Sequence, residues 1–164
     1  MSSVHITPSE PGGSSGERVL AVDLGERRVG LALAEPGRPL VEGLPTIDRK
    51  ALKGKLVDEI RRIALERAVG RIVLGIPLSM DGSEGPAARL AREFEAELAM
   101  ALGLPVEEWD ERLSTEAART RLREIGYSER EMRSRLDQLS AVLMLEGWLR
   151  ARTLADEREA GEPG

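Results

Sequence analysis

The hydrophobic pattern of the chain begins with three short apolar runs that polar turns separate. The runs cover residues 19–22, 29–34 and 40–47, and the connections between them contain Gly and Pro. Runs of this length with short connections predict three strands in an antiparallel meander. The first run is apolar at every position, which is typical of a central strand buried on both faces.

Helical and extended patterns alternate in the rest of the chain. Apolar residues recur at intervals of three and four from residue 52 to residue 69, which predicts a helix. The predicted elements that follow are, in order, a strand at 71–75, a helix at 86–102, a strand at 106–109, and helices at 115–125 and 136–153. A meander followed by such alternation predicts an α/β fold in which helices cover both faces of a mixed five-stranded sheet.

Polar segments flank one predicted domain at residues 17–153. Residues 1–16 are rich in Gly, Ser and Pro, and residues 154–164 are acidic, so we predict disordered tails at both ends. A chain of 164 residues has the size of one domain. It contains no apolar run near the ~18 residues of a membrane span and no export signal, which predicts a cytoplasmic protein without membrane contact.

The composition restricts the available chemistry to carboxylates. The chain has no cysteine, and its single histidine, His5, lies in the polar N-terminal segment. Disulfides, thiol nucleophiles and nearly all zinc sites and imidazole bases are therefore excluded. The formal net charge of −5 argues against indiscriminate coating of nucleic acid, although it allows a local basic face.

Three acidic positions lie where a solvated acid is not expected. Asp23 closes the central strand, and the pair Asp110 and Glu111 follows a later strand, at the strand ends where ligands collect in parallel sheets. Asp137 falls on the apolar stripe of the last predicted helix. A buried carboxylate is costly unless it is paired, hydrogen-bonded or bound to a cation. Their convergence would provide oxygen ligands for a divalent metal and phosphoryl-transfer chemistry.

Each of these acids also has a purely structural interpretation. A carboxylate can cap a tight turn, stand in a solvated loop or complete a helix capping box. The alternatives are Asp23 capping its own turn through Gly25, Asp110 and Glu111 in a loop before a helix cap at Ser114 and Thr115, and Asp137 in a box with Ser134. The sequence leaves both interpretations open.

Arginines provide candidate contacts to phosphate. Arg27 and Arg28 follow Asp23 closely and are placed to clamp a scissile phosphate. Arginines also outnumber acids between residues 112 and 135, where the candidates are Arg112, Arg119, Arg123 and Arg133. Alternatively, the arginines between residues 112 and 135 form a solvated helix face without a ligand. The loop at residues 75–86 is either a phosphate-binding helix start or a rigid turn.

Four segments, in this order, resemble the signatures of the YqgF/RuvX family. They are AVDLGERRVGLA at 21–32, VLGIPLSMDGSEGP at 73–86, WDERLSTEA at 109–117 and LDQLSA at 136–141. Together they cover nearly the whole predicted domain. The chain departs from the family pattern in two places, with Ser79 where Asn is usual and Ile76 where Leu is usual.

The resemblance implies a ribonuclease H-like three-layer fold and a cytoplasmic nuclease. It implies 5′-end maturation of pre-16S ribosomal RNA or resolution of Holliday junctions, so the partner would be a structured RNA precursor or a four-way DNA junction. Asp23, Glu111 (with Asp110 as its neighbour) and Asp137 match the family's metal-ligand positions, for Mg²⁺ or Mn²⁺. The resemblance leaves open whether the protein acts as a monomer or a homodimer.

Two other functions fit parts of the sequence. Actin-like phosphotransferases also carry Asp-x-Gly after a strand, as at residues 23–25, but they need two such domains and this chain has room for one. A non-catalytic RNA- or ribosome-associated module would keep the fold and bind through arginines and duplex shape. The chain's four aromatic residues are too few for a base-stacking platform.

Overall fold

A computed structural model describes residues 16–38 and 40–161, without the side chains of residues 114–117, 134 and 137. The described residues form five strands, which are β1 (Arg18–Leu24), β2 (Arg28–Ala34), β3 (Val41–Asp48), β4 (Val69–Ile76) and β5 (Val106–Asp110). They make one sheet in the order β3-β2-β1-β4-β5. The first three strands pair antiparallel, while β1, β4 and β5 run parallel. The predicted mixed five-stranded sheet is confirmed.

Helices cover both faces of this sheet, as predicted. They are α1 (Leu56–Glu66), α2 (Pro86–Leu102), α3 (Arg112–Ile125) and α4 (Glu129–Gly161). Leu20, Val22 and Leu74 pack with α1 and α2 in a large aliphatic core on one face. Small residues such as Ala21 and Ala32 let α4 approach the other face, and α3 packs against α4.

The carboxyl ends of the three parallel strands share one edge of the sheet. Val22 of β1 lies beside Leu74 of β4, and Ile76 of β4 lies beside Asp110 of β5. The Glu111 N–H donates to the Ile76 carbonyl oxygen at 3.2 Å, so Glu111 continues β5 at this edge. We call it the carboxyl edge. The β2 end that begins at Arg28 and the β3 end at Asp48 lie there too, because β2 runs antiparallel to β1 and Arg28 pairs with Asp48.

Side-chain alternation decides which residues at the carboxyl edge face α4. Ala21 of β1 and Val73 of β4 pack in the core beneath α4. Successive side chains of a strand point to opposite faces. Asp23 and Gly75, two residues further along each strand, therefore lie on the face that α4 covers.

Helix α3 begins three residues earlier than predicted. It starts at Arg112, and Glu111 takes the N-cap position without a side-chain capping bond. The Asp110 carboxylate accepts the Arg112 N–H at 3.0 Å, which supports the chain as it enters the helix. The predicted cap at Ser114 and Thr115 is wrong, because both residues lie inside the helix.

Helix α4 begins with a capping box at Ser128 and Glu131. The Glu131 N–H donates to Ser128 Oγ at 3.3 Å, and the Ser128 N–H donates to Glu131 Oε2 at 2.9 Å. Asp137 lies about two turns inside the helix, and Ser134 lies inside it as well. The alternative in which these two residues form the capping box is therefore wrong.

Helix α4 also extends further than predicted, because it ends at Gly161. It includes residues 154–161, for which the acidic sequence predicts a disordered tail. Leu, Ala, Glu and Arg dominate this stretch, and they are strong helix formers. Helix α1 is shorter than predicted, since Gly54 adopts a positive φ of 107° just before it. Of the predicted tail at residues 1–16, residues 1–15 lie outside the described residues.

Within the described residues, none of the helices has the length and apolar character needed to cross a membrane.

Candidate active site

The carboxyl groups of Asp23 and Glu111 meet at the carboxyl edge, beneath α4. Their side chains are hydrogen-bonded to each other, and both residues are partly buried. Burial is the main cause that raises the pKa of Glu111 well above the usual glutamate range, and the Asp23 side chain and the Asp110 charge raise it further. Two carboxylates in contact repel each other, so one proton or one cation is needed between them.

Gly75 of β4 provides the space that Glu111 occupies. A Cβ atom at this position would lie 2.6 Å from Glu111 Oε1, 2.8 Å from Glu111 Cγ and 3.0 Å from Met144 Sδ of α4. Real Cβ atoms essentially never come so close to another heavy atom. The Glu111 side chain therefore fits closely between the strand backbone and the helix, which fixes where its carboxyl group lies.

The turn after Asp23 is closed by backbone groups and an arginine. The Gly25 N–H donates to the Arg28 carbonyl oxygen at 3.0 Å, and Arg49 Nη1 donates to the Gly25 carbonyl oxygen at 3.0 Å. The alternative in which Asp23 caps this turn through Gly25 is therefore wrong. The Asp23 carboxyl group is hydrogen-bonded to Glu111 instead.

Asp110 has a different partner from its neighbour Glu111. Its carboxylate accepts hydrogen bonds from Arg112 Nε at 2.9 Å and from Arg112 Nη2 at 2.5 Å. This ion pair lowers the pKa of Asp110, so the group stays ionised. The sequence leaves open which of the two acids joins Asp23, and in the structure the partner of Asp23 is Glu111.

Asp137 lies in α4, one turn before Ala141, which packs in the core beneath the helix. The next residue, Gln138, donates from its side-chain amide to the Leu44 carbonyl oxygen of β3 at 2.9 Å. This bond fixes the first half of α4 over the sheet. Among the described side chains, which do not include that of Asp137, no group of three or more His, Cys, Asp or Glu residues forms a metal site.

The six predicted phosphate-binding arginines have different surroundings. Arg27 lies in the β1–β2 turn and Arg28 begins β2, both at the carboxyl edge and close to Asp23 in sequence. Arg112 is bound to Asp110, and its Nη1 also donates to the Met80 carbonyl oxygen of the β4–α2 loop at 3.2 Å. The other three are exposed on the helices, namely Arg119 and Arg123 on α3 and Arg133 on α4.

Sequence reasoning missed what Gly75 and Arg49 do. A glycine inside an apolar strand indicates a close approach of another group, so a signal for Gly75 was present. No sequence signal points to Arg49, because its contact with Gly25 depends on how β1, β2 and β3 align.

A model of the family described as "RuvX: Holliday junction resolvase" matches residues 17–151. The chain belongs to the RuvX family. Two RuvX relatives from Anaeromyxobacter carry the name "Putative pre-16S rRNA nuclease". The protein of strain Fw109-5 is 47% identical, covering 82% of this chain and 98% of the relative. The protein of strain K is 46% identical, covering 80% of this chain and 96% of the relative. The family predicted from the four motifs is confirmed, and so is the enzyme class, a nuclease.

A solved structure of Thermus thermophilus RuvC in complex with a Holliday junction substrate has the same fold. The TM-score is 0.54 at 13% identity, over 84% of this chain and 97% of RuvC. At this identity the likeness concerns the fold alone. It confirms the predicted ribonuclease H-like fold for this RuvX protein.

Proposed function

We propose that this protein is a divalent-cation-dependent endonuclease that hydrolyses phosphodiester bonds in structured nucleic acid, with Asp23, Glu111 and Asp137 as its acidic residues. The observation that supports the proposal best is the hydrogen-bonded pair of Asp23 and Glu111 at the carboxyl edge. Ligands of sheets with parallel strands collect at this edge. Membership in a nuclease family agrees with this site.

The donor set fits Mg²⁺ or Mn²⁺, because both ions prefer carboxylate oxygens. Asp23 and Glu111 would hold the ion, and we propose Asp137 as a third ligand. A bound cation would lower the pKa of water and offset charge on the phosphate. Because the pKa of Glu111 is raised, its carboxyl group would release a proton as the cation binds.

The other residues of the site orient the acids and the substrate. Gly75 and Met144 limit where the Glu111 carboxyl group can lie. The Asp110 carboxylate forms an ion pair with Arg112, so we do not assign it as a ligand of the cation. We propose that Arg27 and Arg28 donate to phosphate oxygens next to the scissile bond, because their turn follows Asp23 directly.

The test is a cleavage assay with Asp23→Asn and Asp137→Asn, each compared with Asp156→Asn. Asp156 is an exposed acid near the far end of α4, so its variant controls for the loss of one charge. We expect either site variant to lose on the order of 100-fold or more in cleavage rate, because each lost ligand weakens the stabilisation of the transition state. Circular dichroism checks that the variants fold. Site variants that cleave as fast as the Asp156→Asn control would contradict the assignment.

We propose two substrate classes for this assay, an RNA precursor that contains the 5′ end of 16S rRNA and a four-way DNA junction. The names of the relatives support the first, and the description of the family supports the second. Resolution of a symmetric junction favours a two-fold dimer, whereas trimming of an RNA end needs a monomer only. Nucleic-acid binding without cleavage, in Mg²⁺ and in Mn²⁺, would instead indicate a non-catalytic binding module.

A further inference from the structure

Six basic residues gather at the carboxyl edge, on the side of β3. They come from the β1–β2 turn with the first residue of β2 and from the segment between β3 and α1, and we call them the β3-side patch: Arg27, Arg28, Arg49, Lys50, Lys53 and Lys55. The patch contains every lysine of a chain whose formal net charge is −5. Only two acids, Glu26 and Asp48, lie in the same two stretches at residues 26–28 and 48–55.

Two hydrogen bonds of Arg49 hold the two stretches together and join them to the active-site strand. The Arg49 N–H donates to the Arg27 carbonyl oxygen at 2.8 Å. Arg49 Nη1 donates to the Gly25 carbonyl oxygen at 3.0 Å, and Gly25 lies two residues after Asp23. The patch therefore has a defined position relative to the carboxyl pair.

The charges of the patch are largely available to a ligand. The Asp48 carboxylate accepts the N–H groups of Lys50 and Ala51 at 2.9 and 3.4 Å, so it is engaged by the turn backbone. In the part of the chain that the structure describes, none of the ion pairs within 4.0 Å includes a residue of the patch. Elsewhere many arginines have carboxylate partners, such as Arg62 and Arg71. All residues of the patch except the partly buried Arg28 are exposed.

We propose that the three lysines of the β3-side patch bind the phosphate backbone of the nucleic acid away from the scissile bond, on the far side of Arg27 and Arg28, an inference that rests on the proposed function. Flexible lysines act as point charges that contact phosphate without reading sequence. Neighbouring strands lie ~4.8 Å apart, so β3 is roughly 10 Å from β1. That is about three base pairs along a duplex at 3.4 Å per step. The lysines would thus contact backbone a few base pairs from the cleavage point.

The test removes the lysines and measures binding in EDTA, so that cleavage does not contribute. The variant is Lys50→Gln, Lys53→Gln and Lys55→Gln together. The matched control is Arg38→Gln, Arg67→Gln and Arg158→Gln, which removes three positive charges far from the carboxyl edge. The probes are a labelled RNA hairpin and a labelled four-way DNA junction, each titrated between about 50 and about 200 mM salt.

We expect the lysine variant to bind at least about tenfold more weakly at the lowest salt. The slope of log Kd against log salt should fall by about two to three, because each lost phosphate contact contributes about 0.9. A second variant with three Lys→Arg changes should keep wild-type affinity, since it keeps the charge. The proposal is overturned if the lysine variant and the matched control have the same affinity and the same salt slope.

Two further measurements separate this proposal from its alternatives. If wild-type protein cleaves neither probe with Mg²⁺ or Mn²⁺ but the lysine variant loses binding, the patch stands and the proposed nuclease function fails. If wild-type protein cleaves and the lysine variant binds normally, the nuclease function stands and the patch assignment fails.

Poly-glutamate is the third probe. Loss of poly-glutamate binding alone would show that the patch binds an acidic polypeptide, which also overturns the proposal.

Discussion

The contact between the carboxyl groups of Asp23 and Glu111 lowers the stability of the folded protein. The two carboxyl groups come from strands that are far apart in sequence, and β4 separates them within the sheet. They share a hydrogen bond, and the pKa of Glu111 is raised. A raised carboxyl pKa means that folding disfavours the ionised form, and this cost depends on pH.

The pH dependence of stability should reveal this cost. Glu111 ionises in the unfolded chain near its ordinary pKa but keeps its proton in the folded protein until a much higher pH. The contribution of Glu111 to stability should therefore fall as the pH rises from about 4.5 toward neutrality. In EDTA at pH 8, Glu111→Gln should be more stable than wild type by about 1 to 3 kcal/mol, because glutamine does not ionise.

Urea unfolding at pH 4 and pH 8 measures the effect, with Glu124→Gln on an exposed face of α3 as the control. The advantage of Glu111→Gln should disappear at pH 4, where both states are protonated. An equal difference at both pH values would mean that Glu111 does not carry the raised pKa.

Gly75 is the second residue on which the site depends. In Gly75→Ala the new methyl group would overlap the Glu111 carboxyl group, which has to move away from Asp23. We expect a loss of about 1 to 3 kcal/mol in the free energy of unfolding, because the site becomes overpacked. We also expect the cleavage rate to fall well below that of the control variant described next. Gly70→Ala, at the other end of β4, is the control, because its Cβ would meet Glu17 Cβ at 3.1 Å, away from the site. Cleavage by Gly75→Ala at the level of Gly70→Ala would show that the space at Gly75 is not needed.

At the scale of elements, the capping box at Ser128 fixes where α4 begins and therefore where Asp137 lies along it. Ser128→Ala removes the oxygen that accepts the Glu131 N–H. We expect a loss of about 1 kcal/mol in stability, as for other N-cap serines. Ser128→Asp should keep most of the stability, because aspartate also caps helix N-termini well. Thermal unfolding of the three proteins tests this, and equal stability of wild type and Ser128→Ala would contradict it.

The elements themselves could be predicted from sequence wherever an apolar period was unbroken. β1, β4 and α2 lie within about two residues of their predicted bounds for this reason. The start of α4 was missed although Ser128-Glu129-Arg130-Glu131 has the spacing of a capping box, because the apolar stripe begins later. Helix ends depend on single hydrogen bonds that hydrophobic periodicity does not register.

The acids of the site could be named from sequence, but their partners could not. Asp110 and Glu111 are adjacent and chemically similar, so only the pleat of β5 separates them. Glu107 of β5 accepts a hydrogen bond from Trp148 Nε1 of α4 at 2.7 Å, so its side chain lies on the face of the sheet that α4 covers. Glu111, four residues further on, lies on the same face because side chains alternate along a strand. The side chain of Asp110 points to the opposite face and forms an ion pair with Arg112. The roles of these acids in catalysis stay predictions.

For the molecule as a whole, cation binding and folding should be linked. A cation that binds the folded protein alone stabilises it, by about 2.7 kcal/mol when its free concentration is 100 times its Kd. We expect Mg²⁺ or Mn²⁺ to raise the Tm of wild-type protein, and to raise it more at pH 8 than at pH 6. The sign follows from Glu111, because protons compete with the cation for its carboxyl group and this competition weakens as the pH rises.

The double variant Asp23→Asn with Glu111→Gln tests this link, because it lacks both carboxyl groups. It should be more stable than wild type in EDTA, because it lacks the carboxyl pair, and the divalent cation should leave its Tm nearly unchanged. Thermal scans in EDTA, Mg²⁺ and Mn²⁺ compare the two proteins, with Ca²⁺ as a test of selectivity. A cation-dependent rise in Tm of the same size in both proteins would place the ion elsewhere on the molecule, and the carboxyl edge would then lose its role as the metal site. A rise in Tm confined to wild-type protein would mean that one cation site at this edge accounts for three observations. They are the hydrogen-bonded acids, the raised pKa of Glu111 and the space left by Gly75.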